Sequence, residues 1–543
     1  MTVASPHSDF DPARAPWWRR GVVYQVYPWS FCDANGDGIG DLPGILSRLD
    51  HLERLGVDAV WLSPVYVSPM ADFGYDVADY CDVDPRFGTL ADLDRLIAAL
   101  HARGMRLILD FVPNHTSDRH PWFVESASSR TNPRADWYVW RDPAPDGGPP
   151  NNWRSMFGGI GWQWCEARGQ WYYHAFLKEQ PDLNWRNPAV VAAMHDVLRF
   201  WLKRGVDGFR VDVIWHLLKD PAFRDNPPNP DWTEREPEVR RLLQTMTCDQ
   251  PGVLDLVKGF RRVLDEFGDR VLIGELYLSL DRLVAYYGDA LDGAHLPFNF
   301  HLMMDPWRAD VVARLIEDYE RLLPPGAWPN WVLGNHDNRR VASRLGPAQA
   351  RVAATFLLTA RGTPTLFQGD EIGLADGVIP PDRVRDPQAL AEPDVPGHDR
   401  DVARTPMQWD ASPGAGFSSA EPWLPLVPGH ERCNVAVEAD DPASMLTLHR
   451  RLIALRRAHP ALALGEVRVL AVAGDLLAYE RRAGDERFVV VLALGPAPLP
   501  VAFPQADGGR VVFSVAGGRD GEILRGPIVL DPDDGLVIAC RRA

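Results

Sequence analysis

Residues 206–213 read VDGFRVDV, a short apolar run that contains Arg210 and reaches Asp212 near its end. Similar runs recur along the chain, separated by amphipathic stretches, and this alternation is typical of βα units with a parallel sheet. Together they make eight expected strands, which with crossover helices predict an α/β fold, the (β/α)8 TIM barrel. The other runs are GVVYQVYP (21–28), AVWLSPVY (59–66), RLILDFVP (106–113), RVLIGELYL (270–278), HLPFNF (295–300), NWVLGNHD (330–337) and TPTLFQGDE (363–371).

Helical patterns lie between these runs. In LPGILSRLDHLERLG (42–56), apolar residues recur at the spacing of one helix face. LADLDRLIAALHARG (90–104) and VVAAMHDVLRFWLKRG (190–205) show the same period. Each segment ends in Gly, a residue suited to a helix C-terminal cap, so we expect all three helices to stop there.

Two parts of the chain depart from the βα pattern. Residues 116–185 are rich in Pro, Gly, Asn and Trp and predict a subdomain inserted after the third strand. Short alternating runs over 461–543 predict a C-terminal antiparallel β domain, a β-sandwich. The barrel would then comprise residues 17–115 and 186–460, preceded by a disordered tail over residues 1–16.

The composition excludes several classes of partner. A net charge of −17 argues against a nucleic-acid surface and against docking on an anionic membrane. The first residues lack the apolar run of a signal peptide, and no apolar stretch reaches the length of a membrane helix. The six cysteines form no CxxC pair, so neither a zinc nor a redox motif is indicated, and we expect free thiols in the cytoplasm. They are Cys32, Cys81, Cys165, Cys248, Cys433 and Cys540.

Four of the predicted strands end on an acid: Asp110, Asp212, Glu275 and Asp337. In such barrels the chemistry lies at the carboxyl ends of the strands. A single acid there is as readily a salt bridge at the barrel mouth. Several like charges brought together, with Arg210 beside them, are costly to bury unless they are paired or used.

Two of these acids suit the cleavage of a glycosidic bond. That reaction needs an acid to protonate the leaving oxygen and a carboxylate facing the anomeric carbon, ~5–5.5 Å apart in retaining enzymes. Neighbouring strands lie ~4.8 Å apart, and Asp212 and Glu275 are on the fourth and fifth predicted strands. Arg210 points to the same side as Asp212 and should keep it ionised, whereas Glu275 needs a raised pKa to hold a proton.

Several motifs resemble a known family. DFVPNH, GFRVDV, GEL and GNHD resemble the four signature regions of glycoside hydrolase family 13, the α-amylase superfamily. QPDLNW (180–185) resembles the fifth region as it occurs in the α-glucosidase and oligo-1,6-glucosidase branch. YQVYPWSF, NGDGIGDL, GYDVADY, FGT and RTPMQWD match that branch in the same order, so the resemblance extends from about residue 17 to the end.

The resemblance implies roles for the matching residues. Asp212 would be the nucleophile, Glu275 the general acid/base, and Asp337 the third acid, which stabilises the transition state. Asp110 would be a structural partner of Arg210. The residues implied to bind the glucose are Tyr75 as an aromatic platform, His115, Phe176, Arg210, His336, and a pair formed by Asp76 with Arg400, or with Arg404 as the alternative.

That last pair would close the pocket behind one sugar, so the resemblance implies an exo-acting α-glucosidase that removes single glucose units from small α-glucosides. Val213, after the nucleophile, accompanies acceptance of α-1,6 links in the resembling branch, although a small apolar residue there also suits barrel packing. Residues 214–232 depart from oligo-1,6-glucosidases, which leaves maltose, isomaltose, trehalose and sucrose all open. Trp215 is a candidate for the entrance.

Two other functions remain open at this stage. A glucosyl-transferring or isomerising enzyme such as trehalose synthase would use the same scaffold. A non-catalytic relative, serving a transporter or as a sugar-binding module, would be expected to show a membrane helix or a broken set of acids. The oligomeric state is not indicated by the sequence.

A loop before the first helix predicts a metal site. Oxygen ligands alternate along it, with Gly residues that permit a tight turn, which is the ligand logic of calcium loops. Gly44 stands where an EF-hand has its bidentate Glu, and the alternative is an ordinary Asp/Gly turn that caps the next helix. Because the loop also resembles the family's calcium loop, we expect a structural Ca²⁺ or Mg²⁺ and no cofactor for catalysis. The ligands would be Asp33, Asn35, Asp37, Ile39 and Asp41.

Overall fold

The computed structural model describes residues 15–502 and 504–540. Its centre is an eight-stranded, nearly closed parallel sheet in the order β6-β5-β4-β3-β2-β1-β8-β7, which confirms the predicted TIM barrel. Every predicted barrel strand is present. The strands are β1 (Val23–Val26), β2 (Ala59–Leu62), β3 (Arg106–Phe111), β4 (Gly208–Val211), β5 (Val271–Gly274), β6 (Leu296–Pro297), β7 (Asn330–Val332) and β8 (Thr363–Phe367).

The register of the central strands decides which side chains meet. Asp110 of β3 pairs with Arg210 of β4, and Ile273 of β5 pairs with the same arginine from the other side. Asp212 and Glu275 follow directly where β4 and β5 end. Because parallel strands end at the same edge, these two acids come out of the barrel side by side.

Helices surround the barrel and follow the predicted pattern with two differences. Residues 42–55 form two helices that meet at Arg48, rather than one. Gly56 and Gly205 adopt left-handed conformations and cap their helices as expected. The helix that begins at Leu90 ends at Ala102, so Gly104 lies beyond its cap.

The bounds of the α-helices are Trp17–Arg20, Leu42–Ser47, Leu49–Leu55, Leu90–Ala102, Pro121–Ser128, Pro188–Arg204, Val253–Asp265, Leu280–Ala285, His301–Met304, Ala309–Leu322, Val341–Leu345, Pro347–Thr359, Pro387–Ala391, Val435–Ala439, Met445–Ala458 and Pro460–Ala463. The 3₁₀ turns are Pro28–Ser30, Ile214–His216, Glu238–Arg241, Asp370–Ile372, Pro381–Arg383 and Pro504–Ala506. Two short strands, Tyr66–Val67 and Asp79–Val83, form an antiparallel pair after β2.

The segment between β3 and the helix Pro188–Arg204 carries a small antiparallel sheet of its own. Its core is aromatic, with Trp153, Trp162 and Tyr173 packed together. Phe223, from the long connection after β4, stacks on Trp153 with ring centroids 5.2 Å apart. The inserted segment and this connection therefore form one packed wall above the barrel. The strands are Trp140–Arg141, Trp162–Cys165 and Gln170–Tyr173.

The C-terminal part is an antiparallel sheet in the order β9-β10-β11-β13-β12. Apolar side chains on one of its faces pack with a two-stranded sheet, Leu499–Val501 with Ile528–Leu530, so two layers enclose a separate core. The strands of the larger sheet are β9 (Glu466–Ala473), β10 (Leu476–Ala483), β11 (Glu486–Ala493), β12 (Arg510–Ser514) and β13 (Gly535–Ala539).

The predicted tail is only partly described. Residues 1–14 lie outside the described residues, but Ala15 packs against the core and the Pro16 carbonyl accepts a hydrogen bond from Arg19. The last two residues of the expected tail thus belong to the barrel. No helix within the described chain is long and apolar enough to cross a membrane.

Candidate active site

A cavity of about 810 Å³ opens where the barrel strands end. Its wall contains all three acids expected to act in catalysis: Asp212, Glu275 and Asp337. Five of the residues expected to bind sugar also line it, while Arg210 is completely buried behind the acids. The five are Tyr75, His115, Phe176, His336 and Arg400.

Arg210 joins the two central carboxylates. Its Nη1 donates to Asp212 at 2.8 Å, and its Nη2 lies 2.7 Å from Glu275 Oε2. The same Nη1 also donates to Asp110 at 2.8 Å. Asp110 is 1% exposed and does not line the cavity, a placement that suits a partner of Arg210 rather than a group in contact with substrate.

The two facing carboxyl groups share an environment that favours protonation. Burial raises the pKa of Asp212, and repulsion by Glu275 raises it further. Burial also raises the pKa of Glu275, against the attraction of Arg210. Since two like charges this close are costly, the pair holds one proton more readily than isolated acids would. A retaining glycosidase needs this state, with one acid and one carboxylate.

Val213 fixes the turn between the two acids. Its backbone has φ 36° and ψ 47°, the left-handed region, which is unusual for a β-branched residue and costs about 1–3 kcal/mol. In that conformation its N–H donates to Glu275 Oε2 at 2.9 Å. The strained turn therefore holds the acid of β5 against the end of β4.

Asp337 differs from the other two acids, because its pKa is lowered and not raised. Its Oδ1 accepts hydrogen bonds from Arg404 at 2.8 Å and Arg400 at 3.3 Å, and His336 lies 3.4 Å from its other oxygen. Burial would raise the pKa of Asp337, but the adjacent His336 imidazole and the positive charges of Arg404 and Arg400 together outweigh burial and lower it. A permanent negative charge thus faces the cavity.

A chain of hydrogen bonds runs along the floor of the cavity. Gln25 donates to Nδ1 of His336 at 2.8 Å, so Nε2 of the imidazole carries the proton and donates to the Tyr75 hydroxyl at 2.8 Å. Tyr75 in turn donates to Asp110 at 3.0 Å, and its ring stacks on the imidazole at 5.4 Å. Burial lowers the pKa of His336 to about 3, so it acts as a neutral donor.

The opposite wall carries His115 and Phe176, whose rings are 5.3 Å apart. Burial lowers the pKa of His115 to about 4, and the Gln180 amide lies 3.1 Å from its Nε2. Phe176 also meets Phe157 edge-on at 5.6 Å. Neutral donors and aromatic faces on this side suit an uncharged sugar ring.

Comparison with known proteins places this arrangement in a family. The model of the alpha amylase catalytic domain matches residues 25–465. The chain belongs to the alpha-amylase family. Its relatives include a probable alpha-glucosidase of Rhizobium meliloti (strain 1021), 47% identical over 90% of this chain and 91% of the relative. The oligo-1,6-glucosidase of Parageobacillus thermoglucosidasius is 38% identical over 88% and 90%.

Solved structures agree with the sequence relatives. The alpha-glucosyl transfer enzyme XgtA superposes with a TM-score of 0.92 and 39% identity, covering 97% of this chain and all of that one. The trehalulose synthase MutB from Pseudomonas mesoacidophila MX-45 gives 0.89 and 35%, covering 97% and 99%. The predicted membership of the α-glucosidase branch of glycoside hydrolase family 13 is confirmed.

The prediction that Asp76 binds the sugar was wrong. Asp76 is completely buried, and its carboxylate accepts hydrogen bonds from the backbone N–H groups of Ala71 and Asp72. The acid that lines the cavity is Asp72, which accepts a hydrogen bond from Arg400 at 2.8 Å. Both acids flank Tyr75 within ADFGYD, and the tight fold of residues 71–76 turns Asp76 inward.

Arg400, and not the alternative Arg404, makes this ion pair. Its guanidinium also donates to Asp386 at 2.7 Å, so two carboxylates hold it from behind. Arg404 instead binds Asp337 and the His336 carbonyl. The sequence analysis did not identify Asp386, because it precedes the short helix Pro387–Ala391 and does not end a predicted strand. Gln180 was part of a quoted motif but had no assigned role.

The loop over residues 33–41 is folded on itself. Asp33 accepts hydrogen bonds from the N–H groups of Asn35, Gly36 and Gly38. Asp41 caps the next helix by accepting from Gly44, as the alternative interpretation expects. Over the described part of the chain, no three acidic, His or Cys side chains gather as metal ligands would. The expected cation therefore stays a prediction.

Proposed function

We propose that this protein is a retaining, exo-acting α-glucosidase that hydrolyses terminal α-linked glucose from disaccharides and short oligosaccharides. The observation that carries the proposal is Arg210, which holds Asp212 and Glu275 within 2.8 Å of one guanidinium at the inner end of the cavity. The names of the relatives, alpha-glucosidase and oligo-1,6-glucosidase, support the same activity.

The reaction follows from this geometry in two displacements. Glu275, whose pKa is raised by burial, gives its proton to the glycosidic oxygen while the Asp212 carboxylate bonds to C1 of the glucose. The leaving group departs as an alcohol. Water then gives a proton to the Glu275 carboxylate and attacks C1 from the opposite face, which releases α-glucose and restores Asp212. Arg210 stabilises whichever carboxylate is charged.

The inner end of the cavity supports removal of one glucose at a time. Arg400 spans it, bound to Asp72 on one side and to Asp337 on the other. These charged groups offer hydrogen-bond partners to the outer hydroxyls of a single terminal ring, so we expect them to close the pocket behind one sugar. Asp337 adds negative charge where the transition state becomes cationic.

Hydrolysis of maltose, isomaltose, trehalose and sucrose, followed by anomer-resolved NMR, tests the proposal. We expect α-glucose as the first product and attack only at chain ends of longer oligosaccharides. First-formed β-glucose would contradict the retaining mechanism, and release of internal fragments would contradict exo action. The same panel determines which linkage is preferred. Val213 is the one observation that favours α-1,6 links.

Glucosyl transfer or isomerisation is a second candidate function. The similarity to the trehalulose synthase MutB and to XgtA favours it, because both structures share almost the whole fold. Product analysis separates the two functions. Free glucose from maltose and sucrose indicates hydrolysis, whereas trehalose or an isomer of sucrose as the main product indicates isomerisation.

We also propose a structural Ca²⁺ or Mg²⁺ in the loop 33–41. Its support is the alternate spacing of oxygen ligands, and three carboxylates that form no ion pair with a Lys or Arg among the described residues: Asp33, Asp37 and Asp41. Chelation by EDTA should lower Tm by several degrees, and Ca²⁺ should restore it. The Asp37→Asn variant should lose that response. An unchanged Tm in wild type would contradict the site.

The cytoplasm is the proposed location. All six cysteines are free, which suits a reducing compartment. Salivary relatives, such as that of Anopheles gambiae, show that the same fold also occurs in other settings. Fractionation of the source cells with an antibody against the chain tests the location, and recovery in the medium would contradict it.

A further inference from the structure

The first barrel strand, β1, places a glutamine behind the imidazole of His336. Gln25 lies in the motif YQVYP, is completely buried and does not line the cavity. Its Nε2 donates to the Ser63 hydroxyl at 3.1 Å and to His336 Nδ1 at 2.8 Å, so both hydrogens of the amide are used. The amide therefore contacts the inner edge of an imidazole that lines the cavity.

The partners of the other ring nitrogen decide which nitrogen of His336 carries the proton. Nε2 lies 2.8 Å from the Tyr75 hydroxyl and 3.4 Å from Asp337 Oδ2. The Tyr75 hydroxyl donates its own hydrogen to Asp110 at 3.0 Å, so it offers Nε2 a lone pair. A bare Nε2 would face two acceptors with no hydrogen between them. Nε2 is therefore protonated, and Nδ1 has a lone pair that requires a donor.

Gln25 supplies that donor and also fixes the orientation of the ring. Within the described chain, its amide is the one hydrogen-bond partner of His336 Nδ1. Tyr75 and Tyr27 both stack on the imidazole, each with ring centroids 5.4 Å apart, but stacking does not distinguish the two edges of the ring. A rotation of 180° about the Cβ–Cγ bond would bring a C–H group to the Gln25 N–H. A buried donor would then lack its acceptor, which is costly.

We propose that Gln25 is a positioning residue for glucose binding, which fixes the orientation and tautomer of His336 so that Nε2–H faces a hydroxyl of the terminal glucose. This use of Nε2–H rests on the proposed glucosidase function. A donor suits the place, because the neighbouring Asp337 carboxylate offers only acceptors. A glucose hydroxyl both donates and accepts, so His336 and Asp337 together can satisfy it.

The tautomer is tested in the substrate-free wild-type protein by ¹⁵N NMR of labelled histidine side chains. We expect the His336 Nδ1 signal at the position of an unprotonated imidazole nitrogen, and the Nε2 signal at that of a protonated one. The pair of signals that disappears in His336→Gln assigns them. A protonated Nδ1 would overturn the proposal. This measurement requires neither turnover nor a Gln25 variant.

The Gln25→Met variant keeps the length of the side chain and removes both N–H groups. We expect the two His336 signals to move toward each other, because tautomers and ring orientations then interchange. With 4-nitrophenyl α-glucoside as substrate, kcat/KM should fall about threefold to tenfold, the size expected for one hydrogen bond. Signals that stay at their wild-type positions would contradict the role of Gln25.

Deoxy substrates separate positioning from general damage to the protein. Analogues of the 4-nitrophenyl glucoside that lack the hydroxyl at C2, C3, C4 or C6 are compared in the wild type and in Gln25→Met. The loss of kcat/KM caused by removing the hydroxyl that binds His336 should be smaller in the variant, and the losses at the other positions should be unchanged. If all four losses are the same in both enzymes, the role of Gln25 is merely structural and the proposal is wrong.

Gln408 provides a matched control. It is also completely buried, its Nε2 donates to the Val427 carbonyl at 2.8 Å, and it does not line the cavity. Gln408→Met should lower Tm but leave the His336 signals and the pattern of deoxy substrates as in the wild type. If it changes them as much as Gln25→Met does, the effect follows from the loss of any buried glutamine, and the proposal fails.

Failure of this proposal is distinguishable from failure of the proposed function. If no α-glucoside is cleaved by the wild type, the proposed function is wrong, and the NMR spectrum still decides whether Gln25 fixes the tautomer. If α-glucosides are cleaved but Nδ1 is protonated, or the deoxy pattern does not change, only the role of Gln25 is wrong.

Discussion

The inner end of the cavity and its outer wall are built in different ways. The outer wall is the apolar lining formed by Met156, Val239, Leu242, Leu243 and Leu278. The inner end is formed where strands stop, with Asp212 after β4, Glu275 after β5 and Asp337 after β7. The outer wall is formed by irregular chain that packs on the inserted segment, as Phe223 does on Trp153. Strand register leaves little freedom, whereas a loop can exchange side chains without moving the acids. Chemistry and aglycone preference can therefore vary independently.

The largest effects are expected at the inner end. Glu275→Gln should lower kcat about 10²–10⁴-fold, because general acid catalysis is lost, and Asp212→Asn should cost at least as much. Circular dichroism should show an unchanged fold in both. With azide added, Glu275→Ala should yield an α-glucosyl azide. A β-azide from that variant would mean that the roles of nucleophile and general acid/base are exchanged between Asp212 and Glu275. Wild-type turnover in Glu275→Gln or Asp212→Asn would show that the substituted residue is not catalytic.

A smaller effect separates the two acids beside Tyr75. Asp72→Asn leaves Arg400 short of a charged partner, so kcat/KM should fall roughly 10–100-fold, the range for a hydrogen bond to a charged group. Asp76→Asn should lower stability in urea with KM for maltose nearly unchanged, since Asp76 binds the backbone of its own turn and does not line the cavity. The opposite pattern would support the pair of Asp76 and Arg400 that the sequence suggested.

A positioning residue joins the two regions. Lys219, buried in the connection after β4, forms an ion pair with Asp182 and donates to Asn114 at 2.8 Å. Asp182 accepts a hydrogen bond from the N–H of Ala175, the residue before Phe176. Asn114 is the residue before His115.

Lys219→Met should therefore raise KM about tenfold with a smaller change in kcat, and lower Tm because a buried carboxylate is left unpaired. Lys219→Arg should recover most of the KM. If the changes in KM and Tm are of similar size and Lys219→Arg reverses neither, the role of Lys219 is purely structural.

The smallest effect is a shift in pH dependence. Glu275 must be protonated to act, so activity falls as pH rises through its pKa. Besides burial, the charges of Asp337 and Asp110 raise this pKa. Asp110→Asn removes one of them, so the alkaline limb of kcat/KM should move to lower pH. A limb that stays in place or moves upward would show that Asp110 does not act on the acid.

The sequence predicted the inner end better than the outer wall for a physical reason. Short apolar runs that end in acids identify Asp212 and Glu275, because parallel strands bring their ends together. The choice of Asp72 over Asp76 depends on how one short turn folds, and two acids four residues apart carry no signal for that. Asp386 caps a five-residue helix and Leu243 lies in an irregular loop, and only tertiary packing brings either of them to the cavity.

The turn at Val213 also bears on how substrate preference can change. Valine and threonine have nearly the same outline and both branch at Cβ, so exchanging one for the other leaves the backbone under the same constraint. The N–H that holds Glu275 would stay where it is. Only a hydroxyl would be added or removed in the part of the cavity wall that Val213 lines, so this exchange can test linkage preference without rebuilding the machinery around it.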